Sequence, residues 1–147
     1  MRQIRVAIGM MMCVFIAFNG KALPLTSPSC TVPEQLPKKK LVLAIDEEYS
    51  AYTPEVIGLM QLTFDKETFV NYVIQNNYFF PGKYTYQVIH PDLAIVTLTE
   101  VVGALVSKYQ LLLVCISDIE GYFVYHLEYG ERLPRMEHNT GFYVLRE

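Results

Sequence analysis

Residues 109–132 read YQLLLVCISDIEGYFVYHLEYGER. Two apolar, aromatic-rich runs flank Asp118-Ile119-Glu120-Gly121, and the alternation on either side of that break reads as a β-hairpin. With Ile119 and Glu120 as the two right-handed residues of a type I turn, Gly121 falls in the left-handed region, where the missing Cβ removes the steric cost. Asp118 then faces Tyr122, and the register places Ser117 opposite Phe123, Cys115 opposite Tyr125, Leu113 opposite Leu127 and Leu111 opposite Tyr129. That face is apolar or aromatic along nearly its whole length. The other carries Gln110, Leu112, Val114, Ile116 and Asp118 against Tyr122, Val124, His126 and Glu128, and is mixed. A slip of one residue would exchange the two faces. The question is whether the greasy face meets only the protein's own core or a ligand as well.

Outward from the hairpin the chain keeps the same grammar. Leu41–Ile45 is a short strand ended by Asp46-Glu47-Glu48, and Tyr84–Ile89 alternates between the turn signals Pro81-Gly82 and Pro91-Asp92. Leu93–Val102 is a further run. Val101–Val106, with Gly103 and Ala104, reads as a turn of helix or a bulged bend, and Phe142–Leu145 follows Asn139-Thr140-Gly141 as a terminal strand. Residues 65–77 support two readings. A helix would have Asp65 as N-cap and Phe69, Val70, Val73 and Ile74 on one side. A strand would alternate Val70, Tyr72 and Ile74 with Asn71 and Gln75, and the β-branched and aromatic content favours it. There are no repeats, heptads or low-complexity tracts. The sum is a mostly β domain, a small antiparallel β-barrel or half-barrel; the alternative is an α+β fold with one helix over 65–77 on an antiparallel sheet.

The N-terminal residues have a different character. Met1–Arg5 carry two arginines, Val6–Phe18 are uncharged and apolar, and Gly20-Lys21-Ala22 sets small residues three and one positions before a cut. Residues 1–22 are therefore expected to be a cleaved secretory signal. An apolar run of about 13 residues is too short for a membrane span of roughly 20, and the residues before Cys13 make a poor lipidation site. Residues 23–40, LPLTSPSCTVPEQLPKKK, hold four of the eight prolines and form an extended arm; residues 41–147 form a single β-rich domain of ordinary size. Of the three cysteines, Cys30 and Cys115 remain after cleavage. In an oxidising compartment the pair is expected to form a disulfide, worth about 4 kcal/mol for a loop this long. The other reading is two separate thiols, with Cys115 a small buried hydrophobe.

An arm cysteine, a Tyr-x-Leu-Leu-x-Val-Cys strand, a hairpin and a strand ending in Tyr129-Gly130-Glu131-Arg132 together resemble the second half of a lipocalin. The resemblance covers roughly residues 105–135 plus Cys30. It implies a β-barrel that binds a small apolar ligand, with Cys30, Cys115 and Arg132 at structural positions and the arm across one end. The sequence departs from the family in having no Trp, so the Gly-x-Trp motif is absent.

Composition narrows the partners. Without residues 1–22 the balance is 9 basic against 15 acidic residues, a net charge of about −6, which disfavours nucleic acid and anionic membranes. Lys38-Lys39-Lys40 reads as a strand flank. His126 with Glu128 on one strand face, and His90 with Asp92 across Pro91, are spaced as ligand pairs, but no third ligand is evident, and no metal or cofactor is expected. Ser50, Ser107 and Ser117 lack a nucleophile elbow, and the consecutive Glu47 and Glu48 read as a solvated loop. No enzyme activity is expected. The chain holds 11 Tyr and 8 Phe, and an aromatic, apolar set, Tyr84, Tyr86, Leu111, Leu113, Phe123, Tyr125, Leu127 and Tyr129, is the candidate lining of a ligand cavity. The bland reading is that these rings simply fill the core. The expectation is thus a secreted, non-enzymatic binding protein for a small apolar ligand. Its rival is an α+β interaction protein, an inhibitor or effector, that meets a protein partner through loops such as Asp46–Tyr52 and Leu133–Thr140.

Overall fold

The structure is a computed structural model and describes residues 30–45, 58–130 and 138–147. Eight strands follow one another: β1 (Lys40–Ile45), β2 (Leu59–Phe64), β3 (Thr68–Val73), β4 (Tyr78–His90), β5 (Leu93–Val102), β6 (Leu105–Ser117), β7 (Glu120–Gly130) and β8 (His138–Arg146). Each pairs antiparallel with the next, and β8 pairs back onto β1, so the sheet closes into a barrel. Closure satisfies every strand edge within the one chain. The expected signal, residues 1–22, lies outside the described residues.

Among the described residues there is no helix, which removes the α+β alternative. Residues 65–77 form the β2–β3 turn, β3 and the turn into β4. The side chains follow a period of two: Phe69 and Asn71 are buried while Val70 between them is exposed. A helix would have set Phe69 and Val70 on one side, and the closed barrel has an interior only for the first. Val101–Val106 proves to be two strand ends joined through Gly103 and Ala104, with Gly103 at a φ of 63°.

The hairpin keeps its faces but not its register. Its loop is two residues, Asp118 and Ile119, with Ser117 opposite Glu120 and an irregularity at Ile116. Cys115 pairs with Gly121, Leu113 with Phe123, Leu111 with Tyr125 and Tyr109 with Leu127. The partner strand has moved by four residues, an even number, so inward residues stay inward. The reason lies in Gly121, which is a strand residue facing the interior. A Cβ there would come within 2.7 Å of the Tyr143 ring. Gly121 is needed for that ring to lie across it, not for the turn. A second irregularity, between Lys108 and Tyr109, pairs Lys108 with Tyr129 and leaves Tyr129 53% exposed on the outer wall.

The same device recurs around the barrel. Phe69 pairs with Gly82, Phe123 with Gly141 and Tyr143 with Gly121, each ring opposite a glycine on the neighbouring strand. An aromatic ring laid over a glycine fills the space and shields the bare backbone.

The arm closes one end. Leu36 is fully buried and belongs to the main core with Leu41, Leu43, Leu62, Phe64, Leu98 and Leu113. The described part of the arm is tied by its backbone: Thr31 N–H donates to Asp118 Oδ1 at 3.1 Å, Val32 N–H to Pro91 O at 2.7 Å and Lys38 N–H to Phe64 O at 2.9 Å. Cys30 is bonded to Cys115 as expected, joining arm to β6 across 85 residues. Arm, the β2–β3, β4–β5 and β6–β7 turns and the start of β1 thus share one end of the barrel.

Candidate functional site

A cavity of about 330 Å³ occupies the other half of the barrel. Leu43, Leu62, Leu111 and Phe123 line it toward the arm, and Gly58, Gln75, Asn76 and Tyr78 at the far rim. It exists because the inward rows of short β1, β2 and β3 oppose the longer β6 and β7, and the aromatic plug at the arm end stops short of the rim.

Of the eight residues expected from sequence, the structure brings four together on the wall: Leu111, Phe123, Tyr125 and Leu127. Leu113 points inward but lies in the solid core, 1% exposed. Tyr84 and Tyr86 serve the closed end. Tyr84 packs edge-on against Phe64 at 4.8 Å between centroids, and its OH donates to Asp65 O at 2.8 Å. Tyr86 OH donates to Pro33 O at 2.6 Å, fastening the arm. Tyr129 lies outside. The aromatic set thus divides into cavity wall, plug and surface.

The sequence reading missed the polar part of the wall. Asn71, Glu100, Ser107 and Asn139 are 2–8% exposed, and all four line the cavity. Glu100 Oε1 accepts from Asn71 Nδ2 at 2.8 Å and from Tyr109 OH at 2.7 Å. Asn71 Oδ1 is buried with no hydrogen-bond partner. Tyr109 and Tyr125 lie side by side, centroids 5.1 Å apart. The signal was present in the period of two: Ala94, Val96, Leu98 and Glu100 share one phase of β5.

The two His-carboxylate pairs have other roles. His90 Nδ1 meets Asp92 Oδ1 in the exposed β4–β5 turn, and that hydrogen bond holds the Asp92 carboxyl below its usual range. Glu128 accepts from Lys108 Nζ at 2.6 Å and from Gln110 Nε2 at 2.7 Å on the outer wall. The bond to Lys108 lowers the Glu128 carboxyl and raises the lysine. Among the described residues no three His, Cys, Asp or Glu come together as a metal site. Ser50, Asp46–Tyr52, Arg132 and most of Leu133–Thr140 lie outside the described residues.

No family model, no curated protein and no solved structure matches this chain. Its function must be read from the barrel itself.

Proposed function

We propose that the chain is a secreted, non-enzymatic binding protein, lipocalin-like, that holds one small, mainly apolar molecule in the barrel. The observation that carries this is the cavity of about 330 Å³ inside a closed barrel whose arm end is solid. Small-molecule sites span roughly 300–1,000 Å³ and are mostly apolar with a few placed polar groups. At about 30 Å³ per water, the space suits a ligand of about ten heavy atoms. A closed eight-strand meander is also the architecture of lipocalins, which supports the resemblance carried by Cys30 and the β6–β7 strands. The disulfide favours an extracellular setting, in keeping with the signal-like residues 1–22. The acidic balance disfavours nucleic acid and membrane surfaces as partners.

Native mass spectrometry of the protein purified from its own secretions tests the proposal. The expected result is an adduct of one small molecule per chain that is lost on unfolding. A bare mass, together with failure to take up any small apolar fluorophore sized for the cavity, would overturn it.

A further inference from the structure

Asn71 carries an acceptor that the barrel does not answer. It stands on the inward phase of β3, between Phe69 of the core and Val73 of the cavity wall, and it lines the cavity itself. Its Nδ2 donates to Glu100 Oε1 at 2.8 Å, and that bond sets which way the amide lies, since only the nitrogen can donate. The carbonyl oxygen is left to accept; it is buried and has no hydrogen-bond partner. The wall's backbone does not supply one, because in a closed sheet the N–H groups lie in the plane of the sheet and pair with the next strand. A buried acceptor left without a donor costs free energy, which a guest bearing that donor recovers.

Resting on the reading of the cavity as a ligand site, we infer that the bound molecule presents a hydroxyl or N–H donor to Asn71 Oδ1 on a body that is otherwise apolar. Leu43, Leu62, Val73, Leu111 and Phe123 line the same space and take the body. The donor ranks ligands of equal size. A hydroxyl gives up its bonds to water on entering and regains one at Asn71. In a wholly apolar pocket it would regain none, and there an ether, which is less strongly hydrated, would bind better. An ether oxygen beside Asn71 Oδ1 sets two acceptors together and leaves both unpaired. The ligand class is thus a small alcohol, phenol or N–H compound of about ten heavy atoms, rather than an ether or a hydrocarbon.

Isothermal titration calorimetry of the disulfide-bonded protein at neutral pH decides this with two pairs of isomers, heptan-1-ol against 1-methoxyhexane and 3-phenylpropan-1-ol against (2-methoxyethyl)benzene. The members of a pair differ in whether the oxygen bears a proton. Each alcohol is expected to bind about three- to tenfold tighter than its ether. Asn71→Leu removes the oxygen at similar size, and since a change of cavity shape moves both members of a pair, their ratio is the readout. It should fall to about one or below, with the ether within about twofold of its original affinity. In the unaltered protein the Asn71 Cγ carbon-13 resonance should move downfield with the alcohol and not with the ether. That measurement decides alone if Asn71→Leu lacks the native circular dichroism spectrum. An ether that matches or exceeds its alcohol in either pair, an alcohol preference that survives Asn71→Leu, or a Cγ resonance unmoved by the alcohol would each overturn the inference. If none of the four compounds binds while naphthalene, a fluorophore of that size without a donor, is taken up, this inference falls and the cavity reading stands. If naphthalene fails too, both fall.

Discussion

Tyr143 lies across Gly121 at 4% exposure, and burial pushes its phenol from the ordinary 10.0 up to about 12. Tyr86 moves in the same direction, by burial first and by the neighbouring Tyr143 second. A folded state that holds a phenolic proton more tightly than the unfolded chain has that contribution in full below pH 10. It loses it as pH rises toward about 12. Alkaline titration should therefore show stability falling between those values, with tyrosinate absorbance and loss of the far-ultraviolet β signal rising together for the buried tyrosines. Tyr143→Phe should flatten that fall. All eleven tyrosines ionising near pH 10 with the barrel intact would contradict it. At this scale the sequence was a partial guide. Leu111, Phe123, Tyr125 and Leu127 could be placed on one face by alternation alone. Glu100 shares the inward phase of β5 with Ala94, Val96 and Leu98, but alternation states which residues share a face and not how far along the strand the interior extends.

Two glycines separate two kinds of constraint on the strands. Gly141 sits under Phe123, and a Cβ there would lie 2.8 Å from the ring and press on the Ala44 carbonyl. Gly103 has open space around it but a φ of 63°. Gly141→Ala is expected to cost about 1–3 kcal/mol through overpacking. Gly103→Ala should cost about 1 kcal/mol through backbone strain, and Gly103→Asn less, since Asn tolerates the left-handed region. Urea denaturation of the three variants checks this; Gly103→Asn no better than Gly103→Ala would place the cost elsewhere. Gly121 shows why the hairpin register was not legible. Its neighbours Asp118, Ile119 and Glu120 satisfy a G1-bulge loop locally, and the ring that claims the glycine for the strand interior comes from β8. Only the even displacement preserved the two faces.

For the whole molecule the arm and its bond to β6 decide how firmly the barrel stays shut. The 85-residue span between Cys30 and Cys115 corresponds to about 4.5 kcal/mol of chain entropy. Reduction should remove an amount of that order and expose the Val32 amide to hydrogen exchange. Leu36→Ala, which empties the plug without touching the bond, should cost about 2–5 kcal/mol. Melting of the reduced and oxidised protein, with exchange at Thr31 and Val32, measures both; an oxidised and a reduced form of equal stability would show that the arm is not tied through the bond. That a cysteine-bearing arm would meet the sheet was legible from compartment and count. Whether the sheet would be a closed barrel or a half was not, since closure rests on pairing β1 with β8, at opposite ends of the chain. That pairing makes β8 the element on which two neighbours depend. A chain ending before His138 would leave both β1 and β7 with a row of unpaired backbone groups. Such rims bind other copies as readily as their own missing strand, so a cleft C-terminus would turn a closed barrel into a seed for aggregation.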